Sequence, residues 1–267
     1  MTWLDAIAAA AAILVLTTLF VAETRAPLRH RARPRGERLV INAVFAVEVV
    51  AVVRLAVVPI GLAVAVAGAH GGFGILHWLA APAAVTWTAG LLLLDYTMYL
   101  WHRLNHRVPV LWRFHVVHHT DLDLDVSTAL RFHAGELLLS CGWRAVQVAV
   151  IGPPIALVLV FEVVFEAATA FHHSNWRLPP TVDRALAAIV VTPRMHGIHH
   201  STLERETNSN WSSMFSWWDT LHRTRRLERA AEPPLVIGLP AYRTPLGVRD
   251  LLALPFRRQT PAWPSAI

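Results

Sequence analysis

The chemistry available to this sequence lies mostly in histidine. Twelve of the fifteen histidines fall between His102 and His222. Their spacing is regular. His102 and His106 stand four apart, while His115, His118 and His119 form one H-x-x-H-H and His196, His199 and His200 a second. Residues at i, i+3 and i+4 share one face of a helix, so each group can aim its imidazoles at a single point. His172 and His173 add a further pair. Neutral imidazoles packed this densely make a poor core, because each ring nitrogen needs a partner. Metal binding answers that need. Isolated His30, His70 and His77 read as ordinary surface or core residues.

Imidazole suits zinc, copper, iron and nickel. A structural zinc takes four ligands, so this many histidines exceed one ion and suffice for two. Two ions in an almost all-nitrogen shell beside a bilayer suit an iron pair better than hydrolytic zinc. The single cysteine, Cys141, excludes an intrachain disulfide and any cysteine-held zinc or iron–sulfur site. Metal-bound histidines usually give their second N–H to a carboxylate or carbonyl. Asp95, seven residues before His102 on the same helical stripe, is one candidate for orienting a ligand; Glu136 and Asp219 are others.

The elements that must position these residues are apolar. Hydrophobic residues make up 55% of the 267-residue chain and charged residues 16%, against roughly 25% charged in an ordinary soluble domain. Mean hydropathy is +0.43. A helix needs about 20 apolar residues to cross the hydrocarbon core. Runs from Trp3 to Ala22, Val40 to Gly68 and Leu76 to Leu100 meet that length, and the first reads as a membrane helix rather than a cleaved signal. A fourth region, Leu137 to Phe171, is divided by Pro153 and Pro154 and reads as a hairpin that keeps the histidine groups on one face. Glu48, Arg54 and Pro59 interrupt the second run, and Arg54 reads as a side chain snorkelling along its helix. Glu162 and Glu166 share one side of the hairpin's second half, either lining a cavity or reaching the metal site.

The net charge is +6, all of the basic charge being arginine. Arg25, Arg29, Arg31, Arg33, Arg35 and Arg38 crowd one loop between two apolar runs. That placement fits the positive-inside pattern better than a nucleic-acid arm, and no nucleic-acid partner is expected. With the amino terminus outside, this loop and the histidine groups share the cytoplasmic side. High alanine and arginine without lysine suggests a bacterial chain, and hence an inner membrane. The expected fold is an all-α integral membrane protein with about four transmembrane helices or hairpin segments and a cytosolic, helical, histidine-rich cap. Residues 1–75 would form the amino-terminal membrane helices and arginine-rich loop, 76–224 the catalytic domain, and 225–267 an extended cytosolic tail.

Several segments, in order, resemble the fatty acid hydroxylase / sterol desaturase superfamily of membrane enzymes. The stretch from Asp95 to His106, with Trp101-His102-Arg103-Leu104-Asn105-His106, resembles its first box. Leu111-Trp112-Arg113-Phe114-His115-Val116-Val117-His118-His119 resembles the second. Arg131-Phe132-His133 with Glu136, Phe171-His172-His173-Ser174-Asn175, Thr192-Pro193-Arg194-Met195-His196-Gly197-Ile198-His199-His200 and Ser216-Trp217-Trp218-Asp219-Thr220-Leu221 resemble the later ones. The resemblance covers roughly residues 80–224. It implies a helical membrane fold and a cytosolic dimetal site of two iron ions, with zinc a substitute in purified protein. It also implies O2-dependent hydroxylation or desaturation of a lipid. The ligands it implies are His102, His106, His115, His118, His119, His173, His196, His199 and His200, with His133 a weaker candidate beside the site. Thr169 stands where some members carry a further histidine. Ala134-Gly135, His222-Arg223 and Trp211 also depart from the pattern, and bear on substrate shape.

The chain has no G-x-G-x-x-G dinucleotide motif and no cysteine cluster, so electrons would come from a separate reductase or ferredoxin-like partner. Three rival readings remain. A histidine-rich membrane protein that binds or transports metal would place its sites along the spans. A bis-histidine haem protein would place facing histidines within them. A dimetal lipid hydrolase would need neither O2 nor reductant.

Overall fold

The structure is a computed structural model and describes residues 3–228 and 235–263. Among these residues it is all-helical, with three isolated bridges and no strand. Helix α1 is Trp3–Arg25. Helix α2, Arg35–Val52, passes through a π-helical turn at Val53–Val57 into α3, Val58–Gly71. Pro59 explains that turn, because it lacks the N–H that would bond back to Leu55 and its ring crowds that carbonyl. The helix therefore starts before Val40 and runs past Gly68.

The third apolar run is not one helix. It divides into α4, Ile75–Leu79, and α5, Ala83–Arg107. Ala80 is left-handed and Pro82 caps α5, so the chain bends between them. Helix α5 then continues beyond Leu100 and carries His102 and His106 out of the apolar layer. Helix α6, Pro109–His119, starts on a proline at its first position, where no N–H is needed. Helices α7, Ala134–Ile151, and α8, Ile155–His173, are separated by Gly152, Pro153 and Pro154, as the double proline leads one to expect. Helix α9, Pro180–Leu186, leads to α10, Pro193–His199, which is capped by the Thr192 side chain.

Among the described residues, three stretches are long and apolar enough to cross a membrane: Arg35–Leu79, Ala134–Ile151 and Ile155–His173. Their outer faces are apolar and bare; Leu55 is 80% exposed and Val47 70%. Such a surface needs hydrocarbon around it. Between the helices, Leu94, Met98 and Trp101 of α5 pack with Leu157 and Phe161 of α8. Within this layer Arg144 of α7 pairs with Glu162 of α8, so Glu162 braces the hairpin rather than reaching the histidines. Arg54 is exposed on its helix and lies within electrostatic reach of Glu166.

The arginine-rich segment is docked rather than free. Leu28 N donates to Asn175 O at 2.7 Å, and Arg177 N to Ala26 O at 2.8 Å. Arg35 pairs with buried Glu23. Arg38 is buried between Asp121 and Asp125, at 2.8 and 2.6 Å. The described part of the carboxy-terminal segment is also packed, contrary to an extended tail. Leu239 and Leu251 are fully buried against Phe45, Val116 and Val117. Apolar residues at these two positions have nowhere else in water to go.

Gly74 and Gly152 let the α3–α4 and α7–α8 turns touch. A Cβ on Gly74 would stand 2.5 Å from Gly152 Cα, and both glycines have positive φ. Gly74→Ala is expected to cost roughly 1–3 kcal/mol of stability, seen as a lowered unfolding temperature in detergent; an unchanged temperature would mean the two turns do not meet.

Candidate metal centre

Four helix ends converge below the apolar layer. Helix α5 contributes His102 and His106; α6 contributes His115, His118 and His119; α8 ends in His172 and His173; α10 and the residue after it contribute His196, His199 and His200. Their side chains sort into two groups. His102, His106, His115, His119 and His199 form one, and His118, His173, His196 and His200 the other; within each, the ligand atoms lie within 4.8 Å of one another. All nine expected ligands are thus brought together. The groups abut, with the His119 and His200 rings stacked at 4.4 Å between centroids.

The protonation pattern follows from the hydrogen bonds. A carbonyl oxygen only accepts, so a ring nitrogen facing one must carry the hydrogen. His118 Nδ1 donates to Arg131 O at 3.3 Å, and His173 Nδ1 to Thr169 O at 2.8 Å. His102 Nδ1 donates to Trp211 O at 2.9 Å, and His199 Nδ1 to Ser209 O at 2.8 Å. In a neutral ring Nε2 is then a bare lone pair. Burial, reinforced by neighbouring histidines, holds His118, His119, His196 and His200 well below the usual imidazole range, and burial brings His199 to about 3. The rings are neutral near pH 7.

These lone pairs face one another. The Nε2 atoms of His118, His173, His196 and His200 close a ring with edges of 3.0, 3.0, 3.1 and 3.2 Å. His118 and His173 have both spent their hydrogens on carbonyls, so no hydrogen lies in their 3.0 Å contact. Two lone pairs at that distance repel unless a cation sits between them. Nitrogens bound at about 2.0–2.1 Å lie roughly 2.9 Å apart at right angles and roughly 3.4 Å apart in a tetrahedron. The observed edges, 3.0 to 3.2 Å, lie between these two spacings. In the other group, Nε2 of His115, His119 and His199 and both ring nitrogens of His106 are buried without a partner. The donor set therefore fits two metal ions. The second group is one histidine shorter, and Thr169 offers His173 only its backbone carbonyl.

Sequence similarity places this site. Residues 87–224 match the fatty acid hydroxylase family over about half of the chain. The chain belongs to the fatty acid hydroxylase family. This confirms the resemblance read from the histidine boxes. Ornithine lipid hydroxylase OlsE of Rhizobium tropici is 31% identical over 154 residues, covering 57% of this chain and 44% of that protein. An alkylglycerol monooxygenase of Caenorhabditis elegans is 31% identical over 151 residues, covering 56% and 29%. Cholesterol 25-hydroxylase of Rattus norvegicus is 28% identical over 166 residues, covering 57% and 54%. The matched segment thus spans about half or less of these relatives. No solved structure matches the chain.

Within this family member, the groups expected to orient the ligands divide. Glu136 accepts from His115 Nδ1 at 2.9 Å. Asp95 does not orient His102. Seven residues along a helix is about 10 Å of rise, so a shared stripe still leaves the two groups two turns apart. Asp95 instead accepts from Phe215 N at 3.0 Å and Trp218 Nε1 at 2.7 Å. His133 caps α7 through Gly135 N and donates to Leu252 O, outside both groups. Asp219 acts through the backbone. It accepts from Trp211 N and Ser212 N, both at 2.9 Å, and so fixes the peptide whose carbonyl holds His102.

Residues 209–213 thereby become a rail of acceptors. Alternate carbonyls, of Ser209, Trp211 and Ser213, receive His199, His102 and His172 respectively. Asn210, left-handed at φ 54°, anchors the rail by donating to Met195 O and Arg226 O. Sequence reasoning missed this segment because backbone carbonyls carry no sequence identity. His172 stays outside both groups, though its ring lies 4.1 Å from that of His196. Further out, burial would raise Asp121, but Arg131 and Arg38 outweigh it and hold its carboxyl down at about 2.

Two outcomes follow. Unfolded imidazoles titrate near about 6.5, so as pH falls through that value the unfolded chain takes up protons before these buried rings do. Metal-free protein should therefore lose stability below pH ~6.5, by about 1.4 kcal/mol per pH unit for each such ring until its folded pKa is reached; unfolding midpoints in detergent at several pH values measure this, and a flat profile contradicts neutral rings. Asp219→Asn should weaken metal retention roughly 10–100-fold, read by chelator competition, while the helical content stays unchanged; full retention would remove Asp219 from the support of His102.

Proposed function

We propose that this chain is an integral membrane oxidoreductase that uses O2 and a pair of iron ions to oxidise a C–H bond of a lipid. The observation that carries this reading is the convergence of buried, bare imidazole nitrogens in two adjoining groups. Family membership and the names of the relatives support the reaction class: those names speak of hydroxylation or mono-oxygenation of ornithine lipid, an alkylglycerol and cholesterol. They favour hydroxylation over desaturation and leave the lipid class open.

His102, His106, His115, His119 and His199 would hold one ion, and His118, His173, His196 and His200 the other. The bound pair supplies activation of O2 for attack on an unactivated C–H bond, and zinc can take its place in purified protein. The chain's own contribution is to orient and to exclude water. The 209–213 carbonyls and Glu136 fix ring tautomers and angles. An all-imidazole shell adds no negative charge, so the ions keep their full electrophilic character. Fully buried Trp211, its ring 6.3 Å from that of His106, shields the site from water on the α5 side. Residues 76–224 act as the catalytic unit, with the helices before them anchoring it and the described residues 235–263 packed against it. Electrons come from a separate ferredoxin-like or other reductase. The histidine groups and the arginine-rich segment lie at the cytoplasmic face of a bacterial inner membrane.

Metal analysis of detergent-purified protein from iron-supplemented cells should give about two irons per chain, and His118→Ala and His199→Ala should each lose metal and lipid oxidation while still inserting. Turnover without O2 or reductant, or retained turnover in both variants, would overturn the assignment.

A further inference from the structure

A second charged site lies beside the histidines and belongs to none of the machinery above. A half-open cavity of about 230 Å³ is lined by residues 29–32, the 122–124 turn, Asn175, residues 235–237 and Arg243. Its walls carry three guanidinium groups, Arg29, Arg31 and Arg243, and one carboxylate, Asp123. That carboxylate is already committed, accepting from Ala32 N at 2.7 Å and Arg33 N at 3.0 Å.

The arginines are only partly answered: Glu23, Asp123 and Asp125 lie within electrostatic reach of Arg29, but no carboxylate hydrogen-bonds it. Arg29 reaches only neutral acceptors: Pro193 O, Leu124 O and Ser174 O, at 3.2, 3.3 and 3.3 Å. Its Nε is buried without a partner, as are Nε and Nη2 of Arg31. Arg243 donates to Ile237 O at 2.7 Å. Burial lowers Arg29 to about 10, which still leaves it charged at neutral pH. Arg243 is exposed, and the three guanidinium nitrogens left idle belong to half-buried Arg29 and Arg31; a buried donor without an acceptor is costly, and an anion in the cavity would supply one.

We propose that this cavity binds a phosphate group, carried by a lipid headgroup or free in solution. The planar fork of arginine matches phosphate oxygens, and several forks around one small cavity fit a tetrahedral oxyanion. The volume lies below the ~300–1,000 Å³ of a site for a drug-sized molecule, so it accepts a headgroup and not an acyl chain. The cavity also lies between the end of α1 and the start of α2, where two apolar helices leave their apolar surroundings. A phosphate there would brace Arg29, which ties Ser174, next to His173, to Pro193 at the head of α10. The site stands independently of the iron reading.

The test titrates full-length protein in a neutral detergent with inorganic phosphate, with short-chain phosphatidic acid, and with diacylglycerol of the same chain length. Wild type, Arg31→Gln and Arg243→Gln are compared by calorimetry, and their unfolding temperatures without ligand are checked first. Saturable binding of a phosphate ligand, weakened tenfold or more in both variants, is expected. Binding of both phosphate ligands, or of phosphate alone, marks an open anion site; binding of phosphatidic acid alone marks a headgroup site. Absence of binding, diacylglycerol binding as well as phosphatidic acid, or equal binding by the variants overturns the proposal. Should a variant misfold, wild type alone decides: phosphate must raise its unfolding temperature above that in chloride of equal ionic strength, and no rise overturns the proposal.

Discussion

Nine imidazoles, buried with bare nitrogens facing one another, impose the central constraint on this protein. A buried polar atom left unpaired costs about 1–3 kcal/mol, and facing lone pairs add repulsion to that cost. The rings converge only because their other nitrogens are held from behind. Arg131 O, Thr169 O, Ser209 O and Trp211 O hold His118, His173, His199 and His102. These acceptors must themselves be immobile, which explains where the outer charges go. Asp219 and Asn210 fix the 209–213 rail, and Arg29 ties the end of α8 to the head of α10.

Charge is arranged in shells around that constraint. The innermost shell is neutral. Glu136 is a buried carboxylate that hydrogen-bonds a ring of the two groups. Asp95 and Asp219 serve loop N–H groups and neighbouring side chains, while Asp121 and Asp125 neutralise Arg38. Arg38 comes from α2, so an ion cluster joins the packing of Leu19 on Val126 and Ala129 in locking the amino-terminal helices to the turn after α6. A neutral inner shell leaves the positive charge of any bound ions undiminished, and the negative charge that balances the fold sits one layer out.

Much of the site was legible in the sequence because helical spacing is a strong signal. The two H-x-x-H-H runs and the His102–His106 pair supply eight of the nine converging side chains. Pro153-Pro154 announced the hairpin for an equally local reason. The division into five and four was less visible, although it too follows from helix geometry. Adjacent residues point about 100° apart, so His118 and His119 serve different groups, as do His199 and His200. Asp95 misled because a stripe gives direction but not depth. The rail, the packed carboxy-terminal segment and the docked arginines depend on contacts between residues far apart in sequence, which no local pattern encodes.

The depth of the centre bears on how a substrate would meet it. His173 is the last residue of α8, an apolar helix long enough to span a bilayer, and His102 lies two residues past the last leucine of the apolar stretch of α5. The histidines therefore begin where the apolar layer ends. A lipid could stay within the bilayer and still present a carbon within a turn or so of the helix ends. A water-soluble substrate would have to pass the covering formed by residues 235–263, where Leu239 and Leu251 are buried. The same geometry that removes water from the imidazoles sets them against the end of the apolar layer, the position that the lipid substrate proposed above requires.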